Sequence, residues 1–233
     1  MSQSLQKNRR VRMKLSDRLY EEVQDLWEEA GNKPFVVEMA LGTLDKARFR
    51  YYMIQDYLYL LDYIDILKRM LKCTVEPELC SFIYEVIEQT EHEAEQVHLP
   101  NMKAAGIIID EAKHECKAEI IAEYIDYMKQ QLKKEGLLAG LTALVQCSWI
   151  YAFIGQKLTE KYSDAIALSP YRSWFESYTS KEYINANQGW IDVLDSVAER
   201  LSQEETEKLC NIFITCARYE NRLWDMFYNT QPL

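Results

Sequence analysis

Residues 47–71 read "ARFRYYMIQDYLYLLDYIDILKRML", from Ala47 to Leu71. Apolar and aromatic side chains return at spacings of three and four through the whole stretch, and no alternation with a period of two interrupts them, which predicts one long helix. Thr43 or Asp45 stands where a cap would open it. Asp56 is out of place in such a helix, because Met53, Leu60 and Leu61 at i−3, i+4 and i+5 are all apolar. Burying a carboxylate without a partner costs several kcal/mol. Asp56 is therefore either paired or chemically employed.

The same periodicity runs outward in both directions, so the chain reads as all-α. Ser16 is the expected cap of a first helix with Leu19, Tyr20, Val23, Leu26 and Trp27 on its inner side, ended by the "GNKP" turn. A short "PFVVEMAL" helix stops at Gly42, and Pro77 opens a helix that Pro100 is expected to end or kink. Further helices are predicted through Tyr124, from Leu137 to about Tyr162, and from about Lys181 to Leu201. Ser202 and Glu205 have the spacing of a capping box at the head of the last helix. Seven or eight helices with short connections make an antiparallel bundle.

With 233 residues, 48% of them hydrophobic, and only seven Gly and five Pro, the chain reads as a single domain over residues 14–233 behind a flexible N-terminal tail, residues 1–13. A net charge of −10 argues against nucleic acid or an anionic membrane as partner, since reading phosphates needs a basic face. The one basic concentration, "KNRRVRMK" from Lys7 to Lys14, belongs to that tail. No signal-like stretch follows Met1 and no apolar run is judged long enough to span a bilayer, so the reading is cytoplasmic. Cysteines 73, 80, 116, 147, 210 and 216 form no CxxC pair, and each by itself reads as an inert, buried thiol.

Sixteen Tyr and five Trp exceed what a helical core needs. Tyr59 lies three residues after Asp56, and Tyr151 four after Cys147, so each pair shares a helix face. Glu93 and Glu220 join Asp56 as carboxylates inside apolar or aromatic stretches. Tyr on the inner face of a bundle is ordinarily core, but three such carboxylates strain that explanation.

The blocks "GTLDKARFRYYMIQDYLYL", "CSWIYAFIGQKL", "YRSWFESYTSKEY" and "FITCARYENRLWDMFY", in this order and spacing, resemble the TenA family of thiaminase II enzymes, also called aminopyrimidine aminohydrolases. The resemblance covers the chain from about Leu15 to Tyr228. It implies a haem-oxygenase-like multi-helix bundle, a homotetramer, a small-molecule pyrimidine substrate (an aminomethylpyrimidine or thiamin), and no cofactor or metal. By the matching motifs it also implies that Cys147 is the nucleophile and that Asp56 binds the amino-pyrimidine edge. The same motifs imply that Tyr59 lies close to the thiol, that Tyr124, Tyr151 and Tyr178 bind the pyrimidine, and that Glu220 donates a proton. The implied reaction is hydrolysis at the exocyclic methylene through a covalent Cys–pyrimidine intermediate. A thiol has a pKa near ~8.5 in water and no cation neighbours Cys147 in sequence, so a base, Asp56 or Tyr59, is expected to take its proton as it attacks.

Two other classes compete. Glu95 with His98 and Glu111 with His114 are ExxH pairs of the kind that hold two irons in helical bundles, although too little chain separates them for two full-length facing helices. Neither those histidines nor His92 lies early in the first helix, where a haem ligand is expected. A non-catalytic pyrimidine- or thiamin-binding protein would keep the aromatics and Asp56 but have no use for a thiol at Cys147.

Overall fold

In a computed structural model, which describes residues 13–198 and 200–230, the helical pattern is continuous and no strand occurs among the described residues. The helices are α1 (Leu15–Ala30), α2 (Pro34–Leu41), α3 (Lys46–Met70), α4 (Pro77–Glu93), α5 (Leu99–Ala104), α6 (Ile109–Ala112), α7 (Glu119–Glu135), α8 (Leu137–Leu168), α9 (Arg172–Tyr178), α10 (Lys181–Ala198) and α11 (Gln203–Asn229). A π-helical turn, Ala94–His98, joins α4 to α5. Residues 1–12 of the expected flexible tail lie outside the described residues.

The local rules hold at most ends. Gly42 takes the left-handed conformation (φ +72°) that closes α2, and Asp45 caps α3 by accepting the Ala47 N–H at 2.7 Å. The Ser202–Glu205 capping box is formed at the start of α11. Ser16 does not cap α1. The helix begins at Leu15, and Asp195 of α10 accepts both the Ser16 backbone N–H and its hydroxyl, each at 2.8 Å. A distant acid thus satisfies donors that the local sequence leaves open, and its charge suits the positive end of the helix.

Three boundaries differ from expectation. The α-helix opened by Pro77 stops at Glu93, seven residues before Pro100; a π turn follows, and Pro100 stands in the first turn of α5, where its missing N–H is tolerated. α8 continues past Tyr162, which sits in a non-helical kink (φ −128°, ψ 30°), to Leu168. α9 has only seven residues, too few turns for periodicity to register.

α8 is the centre of the bundle and packs against α2, α7, α9, α10 and α11. It is long and apolar enough to cross a membrane, contrary to the expectation that no stretch is, but most of that apolar stretch is buried against the other helices. α3 lies alongside α4 and α7, and α1 alongside α11. One continuous core extends from Leu15 to Phe227, with Trp27, Tyr52, Tyr124 and Trp224 fully enclosed. Of the six cysteines, Cys210 and Cys216 fit the buried reading, whereas Cys73 and Cys116 lie in connections and are exposed.

Asp195→Ala should lower stability by about 1 kcal/mol, the usual effect of losing a cap, and the loss should appear first as faster amide exchange in the opening turn of α1. Unchanged exchange there would show that Asp195 is not the effective cap.

Candidate active site

A cavity of about 420 Å³ opens where α3, α4, α8, α9 and α10 converge. Asp56, Tyr59 and Tyr63 reach it from α3, Cys147, Ser148 and Tyr151 from α8, Tyr178 from α9, and Tyr183, Asn187 and Trp190 from α10. Glu93 closes α4, His98 closes the π turn, and both face the cavity. An α-helix would separate side chains five apart, whereas a π turn bonds residue i to i+5 and brings them to one side. Gln89, His92 and Glu182 are exposed and form the mouth; Asp56, Tyr59, Tyr151 and Tyr178 are buried at the floor.

Asp56 has the partner its setting requires. The His98 Nε2–H donates to Oδ2 at 2.6 Å, and the Tyr151 hydroxyl lies 3.4 Å from Oδ1. Burial works against charge on the imidazole, but the Asp56 carboxylate and then the Glu93 charge override it, so the His98 pKa is raised. The other ring nitrogen, Nδ1, faces the Glu93 backbone carbonyl without closing a hydrogen bond of good geometry. Next to Asp56 in sequence, Gln55 accepts the Ala118 N–H at 2.8 Å and donates to the Cys116 carbonyl at 3.0 Å, fixing α3 against the entry to α7.

Cys147 opens on the cavity and is only partly buried. Its thiol is pushed well above the ordinary value by desolvation and by the Glu220 charge, against the pull of the Tyr59 hydroxyl, with Asp56 and Glu93 adding to the rise. These groups are three carboxyls and a phenol, none of them a cation, so the resting thiol keeps its proton. Ser148, the next residue, is anchored through its hydroxyl to Asn187 Oδ1 at 2.8 Å and through its carbonyl to the Tyr183 hydroxyl at 3.1 Å. These bonds tie α8 to α10 beside the thiol.

Glu220, on α11, is 1% exposed and lies behind the cavity wall rather than on it. Neither carboxyl oxygen closes a hydrogen bond of good geometry. Burial pushes the carboxyl up to about 8; the nearby Tyr124 hydroxyl and Cys147 thiol oppose that rise, and the Asp56 charge adds to it. Tyr124 is also behind the wall, its ring stacked on Tyr219 at 4.9 Å and its hydroxyl 3.3 Å from Gln146 Oε1. Of the residues singled out in sequence, Asp56, Tyr59, Cys147, Tyr151 and Tyr178 thus line one cavity, while Tyr124 and Glu220 form a layer behind it.

Tyr151 and Tyr178 meet edge to face, with ring centroids 4.9 Å apart, and the Tyr178 hydroxyl donates to Glu93 Oε1 at 3.0 Å. His98 was singled out in sequence only as half of an ExxH pair. The two pairs do not converge, since His98 is bonded to Asp56 while His114 is exposed, its Nδ1 2.6 Å from the Asp110 carbonyl. Among the described residues no three His, Cys, Asp or Glu side chains are grouped as a metal ion would need.

Between the ordinary 4.5 and about 8, the folded chain holds a proton on Glu220 that the unfolded chain has already lost. Stability contributed by that proton is complete at low pH and declines as pH rises through this window. Glu220→Gln should flatten the decline, leaving the urea midpoint nearly unchanged at the acid end and higher than wild type at the alkaline end. A midpoint that falls equally across the range would contradict the burial of a protonated acid.

Residues 20–230 match the model of the TENA/THI-4/PQQC family. An aminopyrimidine aminohydrolase of Halalkalibacterium halodurans is 33% identical over 93% of this chain and 96% of its own length. Among solved structures, a TenA homologue from P. horikoshii OT3 superposes with a TM-score of 0.79 at 26% identity, covering 93% of this chain and 99% of that one. A haem-oxygenase-like domain from Shewanella denitrificans OS217 superposes at 0.74 with 16% identity, over 91% of each chain, and speaks for the fold alone. The bundle is therefore haem-oxygenase-like, and the chain belongs to the TENA/THI-4/PQQC family.

Proposed function

We propose that this protein is an aminopyrimidine aminohydrolase of the thiaminase II type, which serves thiamin salvage by replacing the substituent on the exocyclic methylene of a 4-amino-pyrimidine with hydroxyl. The observation that carries this reading is the meeting of a thiol, Cys147, and a histidine-paired carboxylate, Asp56, in one aromatic cavity of about 420 Å³. That volume suits a small heterocycle with a compact leaving group. The relative of that name and the family match lend independent support.

In this reading Asp56 holds the amino-pyrimidine edge, oriented by His98, and the Tyr151 and Tyr178 rings hold the heterocycle. A 4-amino-pyrimidine is electron-rich and accepts a nucleophile only when a ring nitrogen is protonated. Glu220 keeps a proton at neutral pH and supplies it at the wall formed by Tyr59 and Cys147. Asp56 takes the thiol proton, directly or through the Tyr59 hydroxyl, which passes its own proton on, as sulfur bonds to a ring carbon. The leaving group departs with the electron pair of its bond to the methylene, water adds there, and the ring regains aromaticity as the C–S bond breaks and the ring nitrogen gives up its proton. Covalent catalysis divides one hard displacement into two easier ones. A cytoplasmic homotetramer belongs to the same proposal, and light scattering of the purified protein tests the assembly.

Cys147→Ser should abolish hydrolysis of 4-amino-5-aminomethyl-2-methylpyrimidine while leaving its binding within a few fold; undiminished turnover would remove the covalent route. The kcat/KM of wild type should fall as pH rises through about 8, where Glu220 loses its proton. Glu220→Gln should lose that limb along with about a hundredfold or more of kcat, the usual size of a proton-transfer contribution. Retention of the limb in this variant would assign the titration to another group.

A further inference from the structure

Glu93 is a second carboxyl in the cavity wall beside Asp56, and the proposed chemistry gives it no task. Its Oε1 accepts the Tyr178 hydroxyl at 3.0 Å, and Oε2 has no hydrogen-bond or ion-pair partner among the described residues. Unlike Glu220 it is only partly buried, because the cavity reaches it. Glu182, in the first turn of α10, adds a further carboxyl at the mouth. Among the described residues lining the cavity there is no Lys or Arg, and one of the two histidines, His98, is engaged by Asp56. Burial raises the Glu93 carboxyl pKa against the opposing charge of His98, which Asp56 already engages, and a carboxylate in a partly desolvated wall stays costly until a cation pairs with it directly.

We propose, on the basis of the function argued above, that Glu93 determines specificity by selecting pyrimidines whose leaving group is cationic and carries no phosphate. With Asp56 at the floor holding the amino-pyrimidine edge, the substituent on the methylene is placed, in this proposal, on the Glu93 side of the cavity. An aminomethyl group is protonated at neutral pH, and a thiazolium carries a permanent charge. Either offers Glu93 a cation of its own, since the nearby His98 is already bonded to Asp56, whereas the hydroxymethyl product is neutral. Glu93 thereby contributes affinity to the substrate that the product does not share, and product release is eased. It also keeps the amine protonated, so that nitrogen departs as ammonia with the C–N bonding pair. A phosphate ester would bring a dianion toward Glu93 and Glu182 with no Lys or Arg to receive it, a like-charge exclusion that adds to selectivity.

The test uses calorimetric binding to the Cys147→Ser protein, which cannot turn substrate over, with and without Glu93→Gln. The probes are 4-amino-5-aminomethyl-2-methylpyrimidine and its neutral 5-hydroxymethyl counterpart. Glu93→Gln should weaken the aminomethyl compound about tenfold or more, the scale of a lost charged hydrogen bond, and leave the hydroxymethyl compound within about twofold. Thiamin should also bind more tightly than thiamin monophosphate when Glu93 is intact. Equal weakening of both pyrimidines, no weakening of the aminomethyl compound, or equal affinity for thiamin and its phosphate would each overturn the role of Glu93. If neither pyrimidine bound with Glu93 intact, the functional reading itself would fall and this inference with it.

Discussion

A carboxylate in the middle of an apolar helix needs a partner, and the 2.6 Å contact between Asp56 and His98 supplies it. Much of the site follows from that requirement. His98 reaches Asp56 from the end of a π turn, and the same turn brings Glu93 to the cavity alongside it. π turns interrupt the regular ladder and are found preferentially at functional sites, where they re-aim side chains. The turn before Pro100 does so here, by letting α4 deliver an acid and an imidazole to one wall.

The second constraint is electrical. Cys147 keeps its proton because burial and the surrounding carboxyls outweigh the pull of the Tyr59 hydroxyl, and Glu220 behind it is driven up to about 8 by burial. Neither group is charged to any large extent at neutral pH without a ligand, so the resting site avoids the energy of two adjacent desolvated anions. In the proposed reaction it is the arriving pyrimidine that changes this, by offering a basic ring nitrogen and a cationic substituent. Reactivity is then created by the substrate, which in this proposal protects the resting thiol from oxidants and electrophiles, because a thiol that keeps its proton is a poor nucleophile.

The long helices were legible in the sequence because their apolar period is sustained, and Gly42 and the Ser202–Glu205 box marked ends by local chemistry alone. Asp56 was legible as an anomaly for the same reason. Its partner was not, since His98 is 42 residues away and the π turn removes it from any 3.6-residue register. Asp195 as the cap of α1 escaped for a similar reason, as the acid is 179 residues from the helix it caps. Periodicity also assigns a face but not a depth. Tyr124 and Glu220 point inward like Tyr151 and Tyr178, yet lie one layer behind them. Glu93 stood out as a buried acid, but only the cavity shows which way it faces.

The central claim is that Cys147 forms a bond to the pyrimidine in this cavity, and rapid acid quenching followed by intact-protein mass spectrometry tests it directly. Early in turnover, the protein should carry an added mass equal to the substrate less its leaving group, and digestion should map that mass to the α8 peptide containing Cys147. Turnover with no added mass at any quench time, or an adduct on a residue outside the cavity, would contradict the account.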